Sequence, residues 1–354
     1  MSRSRLVGAV LAVTAATISA DTPNAQSASD NLRALLDTRE IPITVDNFVR
    51  ANLTAIETEA GLPALKTYLS LAPAERTGSE VEAETQALLE ALTRKDQAHV
   101  SSYALLDSEG IVVADTVTGD VGLDKSDRDY FQVFREAESD DLAYVSPILV
   151  TPATNEAALY FSSPVTAPSG DLLGVLRVRY SAEVLQQLLV DKNDQAGPGS
   201  FGVLFDEYHI HLAHGIEPEV NFIPIVRFDP QTTADLIAAQ RLPDLPDEEL
   251  FIMQLDDLEE HLSNPETQRF FEATDIATGD LVNQVAIAEL ETQPWLVTFF
   301  QPQEIFLAPV RAQNQNTVWL AVVIAAVAVL AAIGMAQPLV RPISHLTDTV
   351  TRFT

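Results

Sequence analysis

Apolar residues at helical spacing dominate the first part of the chain that shows a clear pattern. They recur at Val45, Phe48, Val49, Leu53 and Ile56. This spacing predicts a helix over residues 45–71 with an interruption at 61–63, where Gly61 and Pro63 stand. A second helix is predicted over residues 80–92, where Ala and Leu repeat in the same way. These helices precede any strand signal.

The hydrophobic period then changes to that of strands. Residues 100–106 and 111–114 read as a hairpin with Gly110 in its turn. The pattern predicts three further strands, over 144–150, 157–163 and 172–180, with flanking helices over 128–137 and 182–190. Antiparallel strands with helices to one side indicate an α+β unit.

A second unit follows the break rich in proline and glycine at residues 196–199. Hairpins are predicted over 201–212 (strands 201–205 and 210–212) and over 282–301 (strands 282–290 and 295–301). The intervening residues 232–279 are acidic and mixed in pattern, and we predict helical decoration and loop there. The fold class is therefore α+β, with two sheet units in tandem.

Two apolar segments stand near the ends of the chain. Residues 317–336 would form a helix about 30 Å long, which matches the hydrocarbon thickness of a bilayer. Arg341 follows this predicted transmembrane helix, so the positive-inside rule places the C-terminal end in the cytoplasm. Residues 1–20 read either as a first transmembrane anchor or as a signal peptide. Both readings place the chain from the polar linker at 21–44 onward outside the cytoplasm.

The charge composition excludes several classes of function. The chain of 354 residues has 51 Asp and Glu against 21 Lys and Arg, a net charge of -30. Such an acidic surface repels phosphate backbones, so we expect no nucleic-acid partner. The chain has no cysteine, which excludes disulfides, thiolate metal sites and cysteine nucleophiles. No cofactor-binding motif is present, and no catalytic set marks an enzyme.

The order of local phrases resembles the double Cache (dCache) domain of bacterial transmembrane sensors and chemoreceptors. The phrases that carry the resemblance are SYALLDSEGIVVADT, DRDYFQ, YVSPIL, ALYFSSPV, GDLLGVLRVRY, SFGVLFDEYHIHLAH and QPWLVTFFQPQEIFLAPV. The resemblance implies a long N-terminal helix and two PAS-like antiparallel-sheet modules within residues 45–310, a distal one at about 98–190 and a membrane-proximal one at about 199–305. Residues 337–354 resemble the start of a HAMP linker helix.

The same resemblance implies a ligand site in the distal module. Arg128, Tyr130 and Phe131 match the arginine and two aromatics that hold the ligand carboxylate in the amino-acid-binding subset of the family. Two positions depart from that subset, because Leu123 replaces an aromatic and Arg179 replaces the aspartate that holds the ligand amine. A second cation favours a dianion or simple carboxylate over a standard α-amino acid.

Other residues have both a binding and a plain structural interpretation. From neighbouring strands, Tyr103, Tyr144, Ser146 and Tyr160 are predicted to line the pocket, although strand aromatics are often core. Arg128 alternatively forms a surface ion pair with a neighbouring aspartate, and Arg177 and Arg179 alternatively lie on an exposed strand face. His209 and His211, with His214 nearby, could bind a metal ion, but polar residues are also ordinary in and after a hairpin turn. We therefore predict no metal site.

Together these features predict a membrane receptor for signal transduction and chemotaxis, and not an enzyme. The extracytoplasmic (periplasmic) domain would bind a small carboxylate or amino-acid-like molecule, and a homodimer in the inner membrane would pass the signal to a cytoplasmic output domain. The alternative is a membrane-anchored solute-binding or adhesion module without signalling.

Overall fold

The structure is a computed structural model that describes residues 40–135, 142–151, 156–265, 268–305 and 322–326. The chain separates into two compact units, and the unit Ala34–Gln303 contains both sheets. Within the described ranges, no helix is long and apolar enough to cross a membrane. The predicted segments 1–20 and 337–354, and 317–336 apart from residues 322–326, lie outside the described residues.

The described chain begins with a layer of helices. The first two breaks fall just before Pro63 and Pro73, because proline begins a helix readily but cannot continue one. Val45, Val49 and Ile56 of the first helix are fully buried, as their spacing predicts. The helices of this layer are α1 (Glu40–Ala60), α2 (Pro63–Ser70), α3 (Pro73–Arg76) and α4 (Glu80–Thr93).

The distal sheet is antiparallel, and α1 packs against its long strands. Phe48 of α1 makes edge contacts with Phe161 and Tyr180, at ring centroid distances of 6.0 and 5.6 Å. The strand order is β2-β1-β6-β5-β3, and β4 also pairs with β5. The elements are β1 (Val100–Asp107), β2 (Val112–Asp115), α5 (Asp129–Gln132), β3 (Tyr144–Val145), β4 (Leu149–Val150), β5 (Ala157–Thr166), β6 (Leu172–Ser181) and α6 (Glu183–Val190).

Two predictions for this module were wrong in extent. The single strand expected over 144–150 is two short strands, since Pro147 lacks a ladder donor and Ser146 turns its hydroxyl onto the Pro147 carbonyl at 2.7 Å. The helix expected over 128–137 is limited to Asp129–Gln132 and continues as a turn to Arg135, where the described residues stop. Its apolar spacing reflects a short buried turn rather than a full helix.

The proximal sheet is also antiparallel, in the order β8-β7-β11-β10-β9. Its core joins Phe201, Phe205 and Phe300 to Leu258 and Leu262 of a covering helix. The elements are β7 (Phe201–Phe205), β8 (His211–His214), α7 (Pro230–Ala238), α8 (Asp247–Leu250), α9 (Asp256–Leu262), β9 (Phe270–Asp275), β10 (Gly279–Glu289) and β11 (Leu296–Pro302).

Strand β9 corrects the expectation of only helix and loop over 232–279. Its inward positions are Phe271, Ala273 and Asp275, and a buried aspartate at the third of these hides the apolar alternation. Asp275 tolerates this position because it caps the following turn by accepting from the Ala277 N–H at 2.9 Å. Tertiary pairing with β10 thus overrides a weak local strand signal.

Helix α1 is tied to both modules. Its Asp46 side chain is buried and accepts the Thr292 N–H at 2.9 Å and the Thr292 hydroxyl at 2.6 Å. The Glu291 N–H donates to the same carboxylate at 3.1 Å. The turn between β10 and β11 is therefore fastened to the helix whose Phe48 packs on the distal sheet.

Candidate ligand-binding site

The two faces of the distal sheet have different roles, because successive side chains of a strand point to opposite sides. Tyr103, Phe161 and Tyr180 lie on the face covered by the N-terminal helices. Alternate residues point the other way, and Arg177 and Arg179 of β6 lie on that second face together with Tyr160 of β5. The helix-covered face is packed, and the second face carries an apolar cluster around Phe131 with a polar cavity beside it.

The cavity on the second face has a volume of about 210 Å³. Four cationic side chains reach it, against one acidic side chain, that of Asp120. In a chain with a net charge of -30, such a local excess of cations indicates an anionic ligand. The lining residues are Asp120, Lys125, Arg128, Tyr130, Leu149, Thr151, Tyr160, Arg177, Arg179 and Gln240.

Arg177 is the most deeply buried of these cations, at 2% exposure. Its Nη1 donates to the Ser102 hydroxyl at 2.8 Å, and its Nη2 donates to Asp115 Oδ2 at 3.2 Å. Burial raises the pKa of the Asp115 carboxyl, and the nearby guanidinium offsets part of that rise. The guanidinium also lies over the Tyr160 ring, 5.4 Å from its centroid. These contacts fix the guanidinium at the wall of the cavity.

The other two arginines are held less tightly. Arg179 Nη2 lies 3.5 Å from a Glu156 carboxylate oxygen, and its buried Nε finds no hydrogen-bond partner within the described ranges. Arg128 stands just before α5, where its Nη1 donates to Gln240 Oε1 at 2.8 Å. The ion pair of Arg128 with Asp127 is long, at 3.8 Å, and Asp127 is largely exposed. Both guanidinium groups therefore retain donors for a ligand.

Two tyrosines form the aromatic part of the wall. The rings of Tyr130 and Tyr160 stack with centroids 5.2 Å apart and planes 29° apart. Burial raises the pKa of Tyr130 to about 12, because the phenolate would lose its hydration. The Tyr130 hydroxyl is therefore protonated at neutral pH and is available as a donor to an anion.

The structure does not bring every predicted residue to this cavity. Tyr103 lies on the opposite face, where its hydroxyl donates to Glu59 Oε2 at 2.8 Å and where burial raises its pKa. Phe131 is fully buried in the core cluster beneath Tyr130. The Ser146 hydroxyl accepts a hydrogen bond from the Tyr160 N–H at 3.0 Å and donates its proton to the Pro147 carbonyl, so it is bonded to the backbone on both sides.

Tyr144 also lies outside the lining of the cavity. Its hydroxyl donates to Asp129 Oδ2 at 2.9 Å, and burial raises the pKa of this phenol. Of the eight predicted site residues, the structure gathers Arg128, Tyr130, Tyr160 and Arg179 at the cavity.

Sequence reasoning missed three important lining residues. The alternative prediction that Arg177 lies on an exposed strand face is wrong, because its side chain is buried. Its spacing of two from Arg179 was the available signal, since residues i and i+2 share a face. Lys125 has only its nearness to Arg128 as a signal. Gln240 belongs to the proximal module and has no local signal at all.

Each of the three histidines weighed as metal ligands has a polar partner of its own, although the His211 and His214 rings lie 5.9 Å apart. His209 Nδ1 is 2.8 Å from Glu259 Oε2, and His211 Nδ1 is 2.6 Å from the Ile223 carbonyl oxygen. His214 Nε2 is 3.2 Å from Asp275 Oδ1. Across the part of the chain that the structure describes, no group of three or more His, Asp or Glu is arranged to hold a metal ion.

Comparison with known proteins finds similarity in structure but not in sequence. No protein-family model and no curated protein matches the chain. The sensor domain of the V. cholerae histidine kinase DctB is similar, with a TM-score of 0.58 and 15% identity over 78% of this chain and 98% of that domain. The ligand-binding domain of the Campylobacter jejuni chemoreceptor Tlp3, in complex with 4-methylisoleucine, gives a TM-score of 0.51 and 16% identity over 81% and 95% of the two chains.

The same Tlp3 domain in complex with L-norvaline gives a TM-score of 0.51 and 16% identity, over 81% of this chain and 97% of that one. The described chain therefore has the α+β fold of sensor domains from bacterial kinases and chemoreceptors, which is consistent with the double Cache resemblance. These neighbours are sensor and ligand-binding domains.

Proposed function

We propose that this protein is a transmembrane receptor whose extracytoplasmic distal module binds a small dianionic carboxylate. The observation that supports this most strongly is the convergence of Lys125, Arg128, Arg177 and Arg179 on one cavity. Arginine presents paired donors that match carboxylate geometry, and two separated guanidinium groups suit two carboxylates. The cavity volume of about 210 Å³ suits a ligand of a few carbon atoms.

An α-amino acid is the second candidate ligand, and a specific residue favours it. Asp120 lines the same cavity and would accept the ammonium group of such a ligand. The Tlp3 domain with a similar fold was solved with 4-methylisoleucine and with L-norvaline. The dianion remains our proposal because four cations surround this single carboxylate.

The signal would pass from the distal module toward the membrane through the helices and the proximal module. Helix α1 supports this route, because it packs on the distal sheet through Phe48 and holds the β10–β11 turn through Asp46. Ligand binding signals only if the ligand favours one of two arrangements of these elements. We propose that the receptor is a homodimer in the inner membrane, with residues 337–354 as the start of a HAMP-like linker to an output domain.

Isothermal titration calorimetry on the full chain in detergent tests the ligand class. We expect succinate to bind more tightly than acetate and L-norvaline not to bind. The variant Arg179→Gln removes one cation at the cavity wall, and we expect succinate affinity to fall by about 10–100-fold. Arg227→Gln is the matched control, because that exposed arginine pairs with Asp247 in the proximal module and should leave affinity unchanged.

The outcomes separate the candidates. Binding of L-norvaline without binding of succinate would assign the site to amino acids held by Asp120. Equal affinity of wild type and Arg179→Gln for succinate would place the anion somewhere other than this cavity. Absence of binding by all three probes would contradict a carboxylate receptor.

A further inference from the structure

Gln240 brings a side chain of the proximal module to the distal cavity. It lines the cavity beside Arg128 and Arg179, although it follows α7 of the other module. Its Oε1 accepts the Arg128 Nη1 donor at 2.8 Å. Within the described ranges its Nε2 has no hydrogen-bond partner, so two N–H groups of this carboxamide are unused.

The backbone of Gln240 adopts a conformation that favours glycine. Its φ is 60°, in the left-handed region, at the position just after the C-cap of α7. The Gln240 N–H donates to the Ile237 carbonyl at 3.0 Å, and the Arg241 N–H donates to the Leu236 carbonyl at 2.8 Å, as in a helix C-terminal cap. Glycine is the common residue at such a position because it has no Cβ. The helix end alone would favour glycine here, so the presence of a glutamine side chain points to a role outside the helix cap.

The residues around Gln240 hold it in place from both modules. Its carbonyl accepts the Val150 N–H of β4 at 2.7 Å, next to the cavity-lining Leu149 and Thr151. Arg241 binds both carboxylate oxygens of Glu207, at 3.0 Å each, and Asp206 at 2.8 Å in the β7–β8 turn. Leu242 is buried in a proximal core cluster. The carboxamide is therefore presented to the cavity from a fixed support.

We propose that Gln240 is a specificity-determining residue of the distal site, supplied by the proximal module of the same chain. Its Oε1 orients Arg128, and its Nε2 donates to the carboxylate of the bound anion. The inference rests on the proposed function, because it takes the ligand of the distal cavity to be an anion. It implies that the site is complete only when the two modules are docked as in this structure.

The test is calorimetry with succinate on the full chain, comparing wild type with Gln240→Gly and Gln240→Glu. Gln240→Gly suits the left-handed backbone and removes only the carboxamide, so we expect about tenfold weaker binding and no fall in melting temperature. Gln240→Glu keeps an acceptor for Arg128 but replaces the donors with a negative charge. We expect about 100-fold weaker binding by this variant.

A purely structural role for Gln240 predicts the opposite order. Gln240→Glu would strengthen the contact to Arg128 and would bind succinate at least as well as wild type. Gln231→Ala on the exposed start of α7 is the control and should bind as wild type. If wild type binds succinate and both Gln240 variants bind equally well, this inference is overturned and the proposed function stands. If wild type binds no anion, the proposed function itself fails, and the inference fails with it.

Discussion

The distal and proximal modules have the same kind of sheet, but one face of the distal sheet borders a polar cavity and the corresponding face of the proximal sheet is closed by apolar packing. In each, a hairpin at the edge leads to a central strand, β6 in the distal sheet and β11 in the proximal one. Strand β6 presents Arg177 and Arg179 to a cavity. Strand β11 presents Leu296 and Phe300 to a closed apolar core. The fold therefore tolerates either a polar site or a packed core at this face.

The difference lies in what covers the face. In the proximal module, Leu258 and Leu262 of α9 pack onto Phe300, and the Phe201 and Phe300 rings stack at 5.1 Å. In the distal module, the face is covered by the short α5 and its flanking turn, which leave a cavity beside Tyr130. Apolar closure stabilises the fold, whereas the cationic cavity is suited to binding.

Buried polar groups show the same contrast. In the proximal module, His214 is paired with Asp275, and the His214 ring stacks on Phe201 at 5.2 Å. These polar side chains are therefore packed inside the core. In the distal module, the buried Arg177 is paired with Asp115 yet still borders the cavity. A cation that is held rigidly and also faces open space is prepared for an anionic ligand.

The largest expected effect is a loss of stability on truncating a side chain of the proximal core. Phe300→Ala removes a fully buried ring from the proximal core, and we expect the free energy of unfolding to fall by about 3–5 kcal/mol. Tyr160→Ala at the distal cavity should cost only about 1 kcal/mol, because its side chain is half-buried. Chemical denaturation measures both.

Binding should show the reverse order. We expect Phe300→Ala to keep the wild-type affinity for succinate at temperatures where it is folded. Tyr160→Ala removes the ring beneath Arg177 and should lower the affinity for succinate roughly tenfold. A proximal variant that loses binding while the distal variant keeps it would break the comparison.

A pH-dependent effect on stability is also expected, and it arises in the proximal module. Burial lowers the pKa of His211 from 6.5 to about 4, and His214 and Asp275 are the ionisable groups beside it. The unfolded chain binds a proton on this residue below about pH 6.5 and the folded chain does not, so stability is present above that pH and is lost as pH falls toward 4. The loss amounts to about 3 kcal/mol.

His211→Asn tests this assignment, because an amide donor replaces the Nδ1–H that faces the Ile223 carbonyl. Denaturation midpoints between pH 7.5 and 4.5 should fall less steeply in this variant than in wild type. His261→Asn, at the end of α9, is the control. An unchanged pH slope in His211→Asn would contradict the assignment.

Most strands were predictable because short apolar runs bounded by turn residues mark strands that are buried on both faces. Residues 201–205 were predicted as a strand with the bounds that the structure gives. Strand β9 was not, since Asp275 at an inward position masks the pattern. Local periodicity reports burial only where the buried residues are apolar.

The site was predictable only in part, for reasons of geometry. The double Cache resemblance points to Arg128 as a match to the family's site and to Arg179 as a departure from it, and both residues reach the cavity. Tyr103 was assigned to the wrong face, because a one-residue difference in strand phase reverses every side chain. Gln240 meets Arg128 across 112 residues of sequence, and no local pattern encodes such a contact.

The most direct test of the proposed site is the location of an anion in crystals of the protein grown with 2-bromosuccinate. Anomalous scattering from bromine locates the ligand independently of any prior assumption about the site. Our account predicts one peak in the distal cavity, within ion-pair distance of Arg177 or Arg179 and beside Gln240. A peak in the proximal module, or an empty distal cavity in crystals of a protein that binds the compound in solution, would contradict it.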